Sequence, residues 1–405
     1  MEARRIAEDA ARTAYGRLLA LLASRSRDIA AAEDALASAF AAALQHWPVS
    51  GVPANPEAWL FTTARRTLGA ARARAATASA GEAMLAQLAE ERAEAAMPDF
   101  PDKRLKLLFV CTHPAIAEAA QAPLMLQTVL GLDAARIAAA FLVTPAAMGQ
   151  ALVRAKGRIR AAGIAFTVPQ PDVRPARLAA IRSAIYAAYG TGWEALTTAD
   201  GRLAGLAQEA EYLARLLLAQ LPDDPESAGL LALILFCEAR RSARRDSNGD
   251  FVPLSRQDPK SWSMPHISEA EVLLRAAARH HSPGRFQLEA AIQSLHNHQR
   301  MTGEPLSAPL LGLYDRLLAV APSIGAAIAR AAALAQAGEP AAALAALDAL
   351  AARCTSHQPW WAARARALHA SGKRDAAQLA AARAAGLTTD PAVRAYLLSN
   401  KFFSD

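Results

Sequence analysis

Between positions 154 and 160 the chain carries Arg154, Lys156, Arg158 and Arg160, four positive charges in seven residues with no acid among them. Arg65, Arg66, Arg72 and Arg74 form a second acid-free run. Cationic clusters of this kind neutralise phosphates, which gives affinity for a polyanion but no choice of sequence. Gln150 lies just upstream of the first run, and its amide has the donor and acceptor needed to pair with an adenine edge. Arg136 is a further candidate for a phosphate contact. A solvated helix face carries the same charges, so the elements that hold them decide between the two readings.

Those elements are legible around Leu132–Arg160. Ile137, Phe141 and Leu142 punctuate a first helix. Thr144 is placed to cap a second, with Pro145 at its first position, where a missing N–H costs nothing. Met148, Leu152 and Ile159 then fall on one apolar stripe at helical spacing. Two helices joined by a short turn, the second one basic, form a device that enters the DNA major groove.

The totals set bounds. At 405 residues, rich in alanine and with 6% aromatics, the chain predicts helices nearly throughout, in two to four domains. The net charge of +7 is modest, so the charge that matters is local. Cys111, Cys237 and Cys354 form no CxxC pair, which argues against a disulfide framework or zinc site and fits a reducing cytoplasm. The opening MEARRIAEDAAR lacks an apolar signal core. The longest apolar run, Leu230 to Cys237, is far short of a membrane span.

Other chemistry is set aside. His280, His281, His296 and His298 have no carboxylate or thiol at ligand spacing and read as surface histidines. Asp246 to Asp250 resembles the start of a calcium loop but lacks the later bidentate glutamate, so a tight turn is expected. No phosphate loop, nucleophile elbow or carboxylate pair stands out. Neither an enzyme nor a cofactor or metal is expected.

Along the chain, Tyr15, Leu18, Leu19 and Leu22 mark one helix and Ala35, Leu36, Phe40 and Leu44 the next. Asp28 is placed to cap this second helix, and Glu33 and Asp34 sit in its early turns, where the helix dipole favours acids. The stretch from Trp47 to Leu60 reads as a Pro/Gly turn ending with Asn55 as N-cap and Pro56 at the first helical position. Trp47 and Trp59 read as core residues. Residues 76–103 are Ala/Glu-rich and acidic (Glu82, Glu90, Glu91, Glu94, Asp99, Asp102), as a linker would be. Residues 166–176, with three prolines, read as a connector. Beyond them Pro222 and Pro225 mark the turn of a helical hairpin. Gly303-Glu304-Pro305 then recurs as Gly338-Glu339-Pro340, and Gly372 follows 34 residues beyond Gly338. Each precedes an Ala/Leu-rich helix, at the period of tetratricopeptide (TPR) repeats.

The segments DIAAAEDALASAFAAALQHWP and NPEAWLFTTARR resemble region two of an extracytoplasmic-function (ECF) sigma factor of bacterial RNA polymerase. Residues 105–165 resemble region four, and RLKLLFVCTHPAIAEAAQAPLMLQTVLGL is similar to the ECF subgroup with a long helical-repeat extension. The resemblance implies an all-α protein: a region-two domain (1–75), an acidic linker (76–103), a region-four helix–turn–helix domain (104–165), a connector (166–176) and a TPR-like α-solenoid (177–405). It implies that the helix bearing Glu33, Asp34, Ala37, Ser38 and Phe40 docks on core RNA polymerase. Arg65, Arg66, Arg72 and Arg74 would hold the melted non-template strand. Arg136, Thr144, Gln150, Arg154, Lys156, Arg158 and Arg160 would engage double-stranded promoter DNA. The extension would regulate this activity, with a regulatory protein as its partner. Ala37, Ser38, Gly69, Gly149 and Ala151 depart from the family pattern. They motivate a second expectation, a degenerate sigma-like protein that serves as an interaction scaffold and does not initiate transcription.

Overall fold

The computed structural model describes residues 2–75, 103–141, 143–194 and 206–404, and among them it contains helices and no strand, with one isolated antiparallel bridge between Arg245 and Phe251. The expected linker 76–102, Leu142 and the side chains of Arg72 and Arg74 lie outside the described residues. The chain divides into two compact units, residues 1–213 and 214–405. The expected connector at 166–176 therefore falls inside the first unit, where its first residue, Phe166, and Leu178 just beyond it are buried.

Three long helices open the first unit: α1 (Glu2–Ser26), α2 (Ile29–Ser50) and α3 (Pro56–Ala75), each packed on the other two. Leu18, Leu19, Leu22, Leu36, Leu60 and Phe61 are buried between them. Each such side chain contributes about 1.5–3 kcal/mol by leaving water. The boundaries follow local chemistry. Asp28 accepts from the Ala31 N–H at 3.1 Å to start α2, and Asn55 accepts from the Ala58 N–H at 3.0 Å at the head of α3. The α2 helix does not stop at Trp47, as the sequence predicts, but runs through Pro48 to Ser50 before Gly51 ends it. Proline there costs one backbone bond, the one to the Leu44 carbonyl, in the last turn of the helix. Trp47 is buried, as expected of a core residue, and meets the half-buried Trp59 edge-on at 5.5 Å.

Next come α4 (Arg104–Cys111), α5 (Glu118–Leu130), α6 (Ala134–Ala140), α7 (Pro145–Ala161) and α8 (Arg174–Glu194). Thr144 caps α7 through the Ala147 N–H at 3.2 Å, and Met148, Leu152, Ala155 and Ile159 form its buried stripe. These helices do not stand apart from the first three, because α1 packs on both α4 and α5. At the crossing Gly16 meets the backbone at Val129, and the Tyr15 ring lies against Gly131. The two helix sets thus touch through small residues that lie far apart in sequence. The division between the units falls within α9 (Leu206–Gln220).

In the second unit, α10 (Pro225–Glu238) is buried on nearly every side from Ser227 to Phe236, which explains the apolar run 230–237 as a central helix. Helices α11 (Met264–Ala278) and α12 (Arg285–Thr302) pack against it. The Glu226 carboxylate accepts from the N–H groups of Phe286 and Gln287 at 3.0 and 3.1 Å, closing the start of α12. Then follow α13 (Ser307–Val320), α14 (Ile324–Gln336), α15 (Pro340–Asp348), α16 (Ala351–Cys354), α17 (Gln358–Ala370), α18 (Arg374–Leu387) and α19 (Pro391–Leu398). Gly303, Gly338 and Gly372 have φ of 76, 85 and 75°, so each turn of the sequence period uses the left-handed conformation that glycine adopts without strain. Asp246 closes a tight turn by accepting from the Asn248 and Asp250 N–H groups at 2.9 and 3.0 Å.

Candidate nucleic-acid and polymerase interface

The cations of α7 separate into two groups. Along the outward stripe lie Gln150, Val153, Arg154, Gly157 and Arg158, all exposed and spaced three or four residues apart. Arg154 and Arg158 also rim a groove of about 500 Å³, floored by Ala151 and Ala155 and closed opposite by Ala115 to Ala120. Lys156 and Arg160 occupy a different edge, turned toward α2. The Lys156 ammonium pairs with Glu33, the two side chains being 11% and 15% exposed. Arg160 Nε lies 3.2 Å from Asp28, the residue that caps α2. Two of the four expected phosphate ligands are therefore held by acids of the opening bundle. A count of charges does not reveal this, because the partner acids lie more than a hundred residues away in sequence.

Glu33 is poorly served by that pairing. Its Oε1 is buried without a hydrogen-bond partner, and burial pushes its carboxyl above the usual carboxylate range, against the pull of Lys156 and with a further push from Asp34. Burial also raises the Tyr15 phenol, and the Glu33 charge adds to that rise. Cys111, fully buried and 3.2 Å from the Thr128 hydroxyl, is pushed up to about 12 by desolvation. It is a packing residue and not a nucleophile.

Other candidates divide in the same way. On α2, Asp34, Ala37 and Ser38 are exposed and Phe40 is half-buried. Leu44 and Val49 join that outer surface at 49% and 89% exposure. On α3, Arg66 is exposed, and the Arg65 guanidinium sits over the Phe61 ring at 5.9 Å. Arg136 is half-exposed, 3.8 Å from Glu209, and its backbone N–H donates to Asp133 at 2.7 Å. Val153, in the middle of the outward stripe of α7, is 70% exposed, which the sequence reading misses. Its signal was an apolar residue beside Arg154, off the Met148–Leu152–Ile159 stripe.

Of the four histidines, His280, His281 and His298 are exposed as expected. His296 is not: burial, reinforced by the charge of Arg240, pushes it down to about 4. Among the described residues no group of His, Cys, Asp and Glu is arranged to hold a metal. Nor is any described helix long and apolar enough to cross a membrane.

Comparison with known proteins agrees with the opening bundle. The family model for Sigma-70 region 2 matches residues 11–76, which span most of α1 together with α2 and α3. The chain therefore begins with a sigma region-two domain, and with it a sigma-factor-like role in binding core RNA polymerase and promoter DNA. A family of unknown function, DUF6596, matches residues 177–278. An uncharacterized protein of Rhizobium meliloti (strain 1021) is 37% identical over 378 residues, covering 92% of this chain and 89% of that protein. The chain belongs to the family of that Rhizobium protein. No solved structure matches.

Proposed function

We propose that the chain is an ECF-type sigma factor, which binds core RNA polymerase, directs it to promoters and carries its own regulatory helical extension. The observation that carries this reading is the region-two match on a three-helix bundle whose second helix exposes Asp34, Ala37, Ser38, Leu44 and part of Phe40. That strip is the proposed polymerase contact. Arg65 and Arg66 of α3, with Arg72 and Arg74 beyond them, are proposed to hold the melted strand, which needs cations along a backbone and rings beneath the bases. Helices α6 and α7 are proposed as a region-four helix–turn–helix. The outward Gln150, Val153, Arg154 and Arg158 would meet promoter DNA, and Thr144 would fix the helix start. The turn-repeated helices of the second unit are proposed as a TPR-like platform for a regulatory protein.

The pairing of Glu33 with Lys156 favours a second reading, a sigma-like scaffold that has given these two side chains to its own packing. Pull-down of core polymerase by the full-length tagged chain, followed by run-off transcription on genomic fragments, separates the two. A sigma factor yields a stable complex and discrete transcripts. Absence of a complex leaves the scaffold.

A further inference from the structure

Gly338 and Gly372 follow α14 and α17 at the same offset, so positions 34 residues apart recur on these two neighbouring helices of the second unit. Three such positions line one cavity of about 130 Å³: Ala332 with Arg366, Ala335 with His369, and Gln336 with Ala370. At each position one helix carries alanine and the other a polar side chain. The alanines give the polar groups room and leave the space between the helices unfilled. Phe402 and Phe403, from the 3-10 turn Asn400–Phe403, complete the lining.

The polar and aromatic groups fix one another. Arg366 Nη2 donates to the Tyr396 hydroxyl at 2.8 Å, and its guanidinium carbon lies 5.0 Å from the centre of the buried Phe402 ring. The His369 imidazole stacks on the Phe403 ring at 4.7 Å. A guanidinium stays protonated in any protein setting, and no acid is among the residues that line the cavity. An anion therefore complements the site, and a planar fork of donors is matched best by a carboxylate. The rest of the wall is alanine and phenylalanine, which suits an apolar body. Volume limits that body to a single six-membered ring, since an apolar cavity of roughly 150 Å³ takes one benzene. Gln336 and Ala370 are exposed, so the cavity reaches water on their side.

We propose that the second unit carries a small-molecule site between α14, α17 and the C-terminal turn, and that its ligand is a small aromatic carboxylate. The ring lies among the alanines and the two phenylalanines, Arg366 holds the carboxylate, and His369 gives a second polar contact. One ring and its carboxylate fill the cavity and leave no volume for a preceding peptide unit, which favours a free molecule over the end of a protein chain. The site does not depend on the sigma-factor reading of the first unit. It adds a chemical ligand to an extension for which that reading names only a protein partner.

The test uses the full chain with 4-fluorobenzoate as probe, followed by the fluorine NMR linewidth. Titration should saturate in the millimolar range or below, as suits a ligand of this size. 4-Fluorobenzamide, of the same shape but uncharged, should bind about tenfold more weakly or worse. Arg366→Gln should weaken benzoate binding by about tenfold, and Arg366→Lys, which keeps the charge but not the fork, by less. Ala370→Trp, at an exposed position, should block the mouth and abolish binding while the unfolding midpoint stays that of the wild type. Titration that never saturates overturns the site. Equal binding of the amide, or of Arg366→Gln, overturns the carboxylate assignment. Undiminished binding by Ala370→Trp puts the probe elsewhere, and the proposal falls. A short peptide ending in phenylalanine that displaces the probe at lower concentration than benzoate itself would mean that the cavity reads chain ends, which overturns the small-molecule assignment.

Discussion

Gly16 lies so close to Val129 that a Cβ placed on it would come within 1.8 Å of that residue's carbonyl oxygen. The contact is backbone to backbone, and no side-chain rotation relieves it. It ties the region-two bundle to the helices that follow in a way that neither segment needs for its own fold.

Gly16→Ala should therefore separate α1 from α5. Forcing a methyl into a packed contact costs typically about 1–3 kcal/mol, and the upper end is expected where the obstacle is backbone. Chemical denaturation of the full chain should show an earlier midpoint for the first unit. An unchanged midpoint would mean that the helices do not touch at this crossing.

The two groups of α7 cations should respond differently to salt. Arg154→Ala with Arg158→Ala removes two outward charges, so the salt slope of promoter binding by the polymerase complex should flatten by about 2. Lys156→Met should leave that slope alone and lower the unfolding midpoint of the first unit, because the Glu33 carboxylate then stays buried without its cation. Equal flattening by both variants would return Lys156 to the DNA contact.

Glu226 serves the start of α12 with two backbone N–H bonds and a third from the Gln287 amide at 3.1 Å. Glu226→Ala should destabilise the second unit by about 2 kcal/mol, the loss expected when charge-assisted bonds to buried donors are left unmade. Glu226→Gln keeps one acceptor and should cost less. Urea titration of the two variants at neutral pH reads both.

His296 sets a pH dependence. Its folded-state value, about 4, lies below the ordinary 6.5 of the unfolded chain. Folding is then favoured above pH 6.5, and stability is lost as pH falls from there toward 4, because the unfolded imidazole takes up the proton first. The full effect is on the order of 3 kcal/mol. His296→Leu should flatten the stability profile across that window. A profile identical to the wild type's would show that His296 is not kept neutral by its surroundings.

Local signals in the sequence carried much of this. Asp28, Asn55 and Thr144, the last two with a proline beside them, announce helix starts by chemistry confined to four or five residues, and the structure uses all three caps. Gly303, Gly338 and Gly372 announce turns for the same reason. What stayed hidden depends on contacts between distant segments. Lys156 reads as one cation among four until Glu33 is placed beside it, 123 residues away. His296 carries no local mark of burial beside Arg240. The region-two domain was recognisable because its signature is contiguous in sequence, whereas the seam between α1 and α5 is written in two small residues far apart.

The spacing of the left-handed glycines in the second unit bears on how the family can vary. Gly338 and Gly372 end two helices at matching points 34 residues apart, so the stretch from one to the next is a self-contained insert with compatible ends. Loss or duplication of such a stretch would leave its neighbours facing familiar surfaces. Relatives should therefore differ in the number of helix pairs near the C-terminus far more readily than in the length of the opening bundle.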